Sequence, residues 1–162
     1  LYKTYRSQTY KAKEATHPPV AKNGSQPPFS TWISGGYQHV KQLYLKGTSL
    51  TFIGDDIFVK QLIDNLTGLP YFRAIYHDSK FGALTSWTKN QRDEVIKYFK
   101  DNPNAQYKSF EVRSNLDPDK GYIIEKGDNV RIYRDDVFKS ISNGSDDFGQ
   151  TINAINNTVV FP

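Results

Sequence analysis

The order of helix-like and strand-like segments constrains the fold of this chain more than any other feature of its sequence. The two kinds of segment alternate in the first half, and strand-like segments cluster in the second half. We predict strands at 48–53, 71–76, 107–113, 121–125, 130–133 and 158–161, of which 107–113 alternates as a half-buried strand does. We predict a helix at 56–67, a helix that is capped by Thr88 and ends at Asp101, and a short helix carrying Phe148, Ile152 and Ile155. Val95, Ile96 and Phe99 form the apolar stripe of the second helix. Residues 38–45 fit either a strand or a short helix. This order predicts a single α+β domain with a mixed or antiparallel sheet and two to three helices, preceded by an extended N-terminal arm.

The helix at 56–67 rests on signals at both of its ends. Asp55 or Asp56 is suited to cap it, because a carboxylate accepts hydrogen bonds from the free amides of the first helical turn. Gly68 is suited to end it. The strongest hairpin signal joins the strands at 121–125 and 130–133 through a turn that contains a glycine.

Length and composition favour one globular domain with an aromatic-rich core. The chain has 162 residues, of which 14% are aromatic. It contains no Cys and no Met, which excludes a disulfide framework, a zinc site ligated by Cys and thiol catalysis. The missing sulfur residues, four glycosylation sequons and a start without Met favour a processed protein that works outside the cytoplasm or at the cell surface.

The net positive charge is confined to the first part of the chain. Residues 1–28 carry five basic residues and one acidic residue, whereas residues 29–162 hold 16 of each sign. Proline pairs at 18–19 and 27–28 favour an extended backbone. We therefore divide the chain into an extended basic arm or linker, 1–28, and a globular domain, 29–162.

The arm is the segment that the sequence predicts to bind a partner. Tyrosine rings that stack on flat surfaces lie between its charges. The predicted binding residues are Tyr2, Lys3, Tyr5, Arg6, Tyr10, Lys11 and Lys13. The expected partner is a protein or an anionic polymer, and nucleic acid, an anionic wall polymer, anionic lipid and a sister subunit all fit. A plain linker between a membrane anchor outside this chain and the folded domain is the alternative.

Three residues are weak catalytic candidates: Asp55, Asp56 and His77. The segment Ile53-Gly54-Asp55-Asp56 resembles the Gly-Asp-Asp centre of viral RNA polymerases, but a polymerase palm with its fingers and thumb needs far more chain. A strand followed by Gly-Asp and a helix also resembles the opening block of SGNH hydrolases, which implies a degenerate hydrolase fold. Asp56 stands where that family has its serine nucleophile, and no His follows His77. Capping of the predicted helix explains both aspartates without either resemblance, and it is the interpretation that we favour.

No cofactor and no metal is predicted. The three histidines, His17, His39 and His77, lack the close spacing of a metal motif. The chain contains neither of the two glycine-rich phosphate-binding patterns, Gly-x-Gly-x-x-Gly and Gly-x-x-x-x-Gly-Lys.

The leading interpretation is a non-catalytic extracytoplasmic module of a cell-envelope or surface protein, with a binding or interaction role. The alternative is a structural or assembly subunit whose basic arm contacts nucleic acid or a neighbouring subunit. The degenerate hydrolase fold is a second alternative.

Overall fold

Seven strands dominate the computed structural model, which describes residues 28–81, 87–142 and 148–161. The strands are β1 Gln38–Lys46, β2 Thr51–Ile63, β3 Pro70–Phe81, β4 Tyr107–Val112, β5 Asn129–Ser142, β6 Phe148–Asn153 and β7 Val159–Phe161. Helix α1 is Phe29–Ser34, and α2 consists of the consecutive segments Lys89–Gln91, Arg92–Ile96 and Lys97–Asp101, the second of them π-helical. A 3₁₀ turn spans Pro118–Lys120. Neither α1 nor α2 is long and apolar enough to cross a membrane.

Five of the strands close into a barrel. The order in the sheet is β3-β2-β1-β4-β5-β6-β7, and β3 also pairs with β5. The ring is therefore β1-β2-β3-β5-β4, in which only the β3–β5 pairing is parallel. Along the chain, helix α2 lies between β3 and β4. This connectivity is that of the OB-fold, a five-stranded Greek-key barrel.

The predicted α+β fold is wrong, because the structure is mostly antiparallel sheet and two of the three predicted helices, the one at 56–67 and the one at Phe148, do not form. Residues 56–67 belong largely to β2, which continues through Asp55 and Asp56 to Ile63. The reason is burial on both faces of the strand. Ile57 and Val59 pack inside the barrel, while Phe58 faces α1 on the outside. A strand covered on both faces reads as a continuous apolar run, which also fits one face of a helix.

Two predictions in the second half of the chain are also wrong. Residues 121–125 form no strand, and β4 takes their predicted place beside β5, with Tyr107 opposite Tyr133. The segment predicted as a short helix at Phe148 forms β6 and the turn after it. The apolar residues of that segment serve an antiparallel pairing with β5, which only the tertiary structure reveals.

Other predictions are confirmed. Strands cover the segments predicted at 71–76, 107–113 and 130–133. Helix α2 begins at the predicted cap, where the Thr88 hydroxyl accepts a hydrogen bond from the amide of Gln91. Residues 38–45, which fitted either a strand or a short helix, belong to β1.

The buried apolar side chains form two clusters. The larger one, the barrel core, fills the ring of strands and includes residues of α2 such as Val95 and Phe99. The smaller one lies outside the barrel, between its wall and α1. This outer cluster consists of Phe29, Trp32, Phe58, Ile75 and Phe138. Helix α1 is therefore held to the barrel by aromatic packing.

Gly54 allows β2 to bend where its alternation is interrupted. Phe52 and Ile57 both pack in the barrel core although they are an odd number of residues apart. A Cβ atom at Gly54 would overlap the Ile57 side chain, with Cγ1 at 2.9 Å. Ile57 is fully buried and has little room to move. The close approach therefore requires glycine at this position.

We expect Gly54→Ala to lower the free energy of unfolding by about 1–3 kcal/mol, as overpacking of a filled core does. Urea denaturation followed by circular dichroism measures it. Ile57→Val removes the δ-methyl group that the new Cβ would overlap. The double variant should therefore be less destabilised than the sum of the two single variants. If the stability losses of the two single variants add up to that of the double variant, the contact between position 54 and Ile57 is not the cause of the destabilisation.

Candidate functional site

The predicted binding arm lies outside the described residues. This holds for all seven of its candidate residues, from Tyr2 to Lys13. Their role stays a prediction.

The catalytic candidates Asp56 and His77 lie together on the outer wall of the barrel. They are directly opposite each other on β2 and β3. Oδ2 of Asp56 is 3.8 Å from Nδ1 of His77, and its Oδ1 is 2.8 Å from Nε2 of His39 on β1. The carboxylate of Asp56 therefore contacts the imidazole rings of both His39 and His77.

Polar contacts also lead from His77 to side chains of two further strands, β5 and β6. Nε2 of His77 is 2.7 Å from Oγ of Ser140 on β5, and that oxygen is 2.6 Å from Oγ1 of Thr151 on β6. One side chain from each of five adjacent strands thus takes part. We call His39, Asp56, His77, Ser140 and Thr151 the buried polar chain. Its order depends on strand register, so sequence reasoning found only two of its members.

Asp55 does not belong to this group. Because successive residues of a strand point to opposite faces, Asp55 lies on the barrel side of β2, where Tyr76 is buried. Burial raises the pKa of Tyr76 well above its usual value, and the charges of Asp78 and Asp55 raise it further. The three catalytic candidates therefore do not converge on one site.

Aromatic side chains of the outer cluster cover the buried polar chain. The Phe29 ring lies edge-on to His77, with centroids 4.8 Å apart, and 5.3 Å from the ring of His39. Phe58 stacks on His39 at 4.4 Å. Asp56, His77 and Ser140 are each 0% exposed. Helix α1 and the outer cluster therefore cover Asp56 and His77, whereas the side chain of His39 stays 16% exposed.

Asp56, His77 and Ser140 stand in the order carboxylate, imidazole and hydroxyl of a hydrolytic triad. A nucleophile must contact its substrate, whereas the Ser140 oxygen is enclosed and is shared with Thr151. Hydrogen bonds join His39 to Asp56, and His77 through Ser140 to Thr151, and the 3.8 Å contact between Asp56 and His77 lies between these two parts. The resemblance to SGNH hydrolases is also wrong, because the Gly-Asp pair lies inside β2 and no helix follows it.

A second group of polar and aromatic side chains lies on the outside of β3, β5 and β4, near the start of β3 and β5. Its members are Tyr71, Arg73, Tyr107, Arg131 and Tyr133, and we call them the Tyr–Arg face. The Arg131 guanidinium carbon is 4.2 Å from the centroid of Tyr71 and 4.7 Å from that of Tyr107. The Arg73 guanidinium carbon is 4.5 Å from the centroid of Tyr133. Each arginine is thus held in place by a tyrosine ring.

The two arginines are neighbours across the parallel β3–β5 pairing. Like charges at such positions repel each other, and two carboxylates offset this. Nε of Arg73 donates to Asp136 at 2.7 Å, and Nη1 of Arg131 donates to Asp64 at 3.0 Å. Burial raises the pKa of Asp136, although Arg73 opposes this shift. The face therefore presents fixed guanidinium groups at partly exposed positions.

Sequence reasoning missed the Tyr–Arg face, although a signal for it exists. Tyr71 and Arg73 alternate along β3, as do Arg131 and Tyr133 along β5. Alternation of this kind marks the outer side of a half-buried strand. Which strands bring these positions together follows only from the barrel closure.

Among the described residues, no three His, Asp or Glu side chains are arranged to hold a metal ion. Comparison with protein families, curated proteins and solved structures finds no match for this chain.

Proposed function

We propose that this chain is a non-catalytic binding module of a cell-envelope or surface protein, which contacts anionic components of the envelope through its arm and the Tyr–Arg face. The observation that carries the proposal is the Tyr–Arg face itself. It combines two fixed guanidinium groups with three tyrosines at the surface of a closed barrel.

The burial of Ser140 in the buried polar chain supports a non-catalytic role. The hydroxyl of Ser140 is enclosed by the barrel wall and the outer cluster. Ester hydrolysis that disappears in Ser140→Ala would contradict the proposal.

The chemistry of arginine supports an anionic ligand. A guanidinium has five N–H donors, and its planar shape suits phosphate and carboxylate groups. Asp64 and Asp136 each accept from one nitrogen of their arginine, so each guanidinium has N–H donors beyond that bond. The basic arm adds charge of the same sign. The absence of sulfur side chains suits a location outside the cytoplasm.

Pelleting with isolated bacterial envelopes, wall and membrane together, tests the proposal. We expect the full chain to pellet with them and Arg131→Ala to bind about tenfold more weakly, since a hydrogen bond to a charged group contributes about 1.5–3 kcal/mol. The matched control is Arg113→Ala, which removes an exposed arginine paired with Glu111, away from the face. Equal losses in the two variants, or no pelleting of the unaltered chain, would contradict the proposal.

The assembly role is a second candidate, favoured by a barrel connectivity that often binds oligonucleotides. Single-stranded DNA added to the same assay separates the two. Release of the chain by DNA, with a steep dependence on salt, would favour the assembly subunit.

A further inference from the structure

The turn between β2 and β3 exposes three large aliphatic side chains. Leu66 at its apex is 96% exposed, and Ile63 and Leu69 on either side are 60% and 63% exposed. We call residues 63–69 the hairpin tip. Apolar side chains exposed together on a surface mark a site that contacts a protein, a membrane or an apolar ligand.

The hairpin tip projects from the barrel. The pairing between β1 and β2 ends at Gln38 and Val59, whereas the pairing between β2 and β3 continues to Ile63 and Pro70. The end of the hairpin therefore has no β1 beside it. A convex tip offers less area than the roughly 800 Å² per partner that a stable protein interface buries. It suits insertion into a soft apolar medium better.

Hydrogen bonds within the hairpin tip pair the backbone amides of Asp64, Leu66, Thr67 and Gly68. The amide of Asp64 donates to the carbonyl of Leu69 at 2.8 Å, and that of Gly68 donates to the carbonyl of Asp64 at 2.7 Å. Oδ1 of Asp64 accepts from the amides of Leu66 at 2.8 Å and Thr67 at 3.3 Å. Gly68 has the positive φ that the turn requires, +71°. Backbone groups that are already paired enter an apolar medium at low cost.

The Tyr–Arg face lies directly behind the hairpin tip. Tyr71 is opposite Leu62 in the same hairpin, and Arg131 is bonded to Asp64 at the start of the tip. Tyrosine is enriched at the level of lipid headgroups, and arginine pairs with their phosphates. The ion pair with Arg131 also neutralises Asp64, which is the only carboxylate within the tip.

We propose that the hairpin tip inserts into the interface of an anionic lipid bilayer, while the Tyr–Arg face contacts the headgroup phosphates. This inference rests on the proposed function and names the envelope component that the face contacts. The arm supplies attraction over distance, and the tip supplies apolar insertion.

Sedimentation with vesicles tests the inference. The full chain is mixed with vesicles of phosphatidylcholine alone or of phosphatidylcholine with phosphatidylglycerol. We expect binding to the anionic vesicles, and a loss of at least about tenfold in Leu66→Asp, because burying a leucine contributes about 1.5–3 kcal/mol. The matched control is Ile123→Asp, which makes the same charge change at a residue that is 44% exposed elsewhere. Its affinity should equal that of the unaltered chain.

Labelling at a single position gives a second readout. Because the chain has no cysteine, Leu66→Cys carries a polarity-sensitive fluorophore at one place only. We expect its emission to shift to the blue with anionic vesicles, and that of labelled Ile123→Cys to stay unchanged.

Full vesicle binding by Leu66→Asp, or an unshifted probe at position 66, would overturn the inference, because the arm would then account for the binding alone. Equal binding to the neutral vesicles would overturn the requirement for anionic lipid, because phosphatidylcholine carries the same phosphate with its charge balanced by choline. Pelleting with envelopes without binding to vesicles would assign the face to a protein or wall polymer and leave the proposed function intact. Failure in both assays counts against both.

Discussion

Replacing Glu94 with alanine is expected to lower the free energy of unfolding by about 3–5 kcal/mol, the loss typical of a broken buried charge pair. Glu94 is a buried residue of α2, and its carboxylate accepts hydrogen bonds from three successive amides of the β1–β2 turn. The distances are 3.1 Å to Thr48, 3.2 Å to Ser49 and 3.0 Å to Leu50. The ammonium group of Lys108 lies 3.4 Å away on the other side.

Alanine at position 94 leaves the three amides without their side-chain acceptor, while the ammonium group of Lys108 keeps its hydrogen bond to the backbone carbonyl of residue 94. Each donor that water does not reach costs about 1–3 kcal/mol when it is left unsatisfied, which is why the expected effect is large. Urea denaturation measures it. The matched control is Asp93→Ala on the same helix, which removes an exposed carboxylate paired only with its own helix and should leave stability unchanged. Equal effects of the two substitutions would show that the turn does not depend on Glu94.

The same carboxylate makes the protein sensitive to acid. Burial alone raises the pKa of Glu94, but the amides of Leu50 and Ser49 and the charge of Lys108 lower it more, so that it lies below the ordinary 4.5. A carboxyl group with a lowered pKa stabilises the fold above its unfolded pKa, and this contribution is lost as pH falls through the folded value. We therefore expect stability to fall from about pH 4.5 downward, and the fall to be smaller in Glu94→Gln.

Replacing Phe58 with alanine is expected to detach α1 from the barrel. Phe58 is fully buried at the centre of the outer cluster, with its ring centroid 5.0 Å from Phe29 and 4.9 Å from Trp32. The substitution removes the ring on which both aromatic anchors of α1 rest. The expected cost is about 3–5 kcal/mol, as for other large cavities. The emission of Trp32 should shift to the red, as the side chain meets water.

The measurement needs a background without the second tryptophan, so Trp87→Phe is made first. Phe110→Ala is the matched control, because Phe110 is as deeply buried but lies in the barrel core. It should lower stability by a similar amount while the Trp32 signal changes only at global unfolding. A Phe58→Ala variant in which Trp32 keeps its native emission would contradict the assigned role of the outer cluster.

The sequence predicted those elements whose signals are local. The cap at Thr88, the apolar stripe of α2 and the alternation of β4 each lie within a few consecutive residues. Strand β2 was mistaken for a helix because both of its faces are buried, one in the barrel and the other under α1. That arrangement depends on residues far away in the chain.

The arrangement of the candidate sites could not be predicted from the sequence, for a related reason. Asp56 and His77 were noticed as chemically capable residues, but their partner Ser140 comes from β5 through the barrel closure. The Tyr–Arg face likewise unites three strands whose register the sequence does not reveal. Its separate alternating pairs are visible in the sequence, and their meeting is not.

The parallel pairing of β3 with β5 also governs when this protein can finish folding. Phe72 meets Val130 across it, and all of α2 and β4 lies between them in the chain. Contacts between such distant residues form late, because the loop between them must be ordered first. A ribosome must therefore release β5 before the ring can close, and until then the hairpin of β2 and β3 has an open edge that invites pairing with other chains.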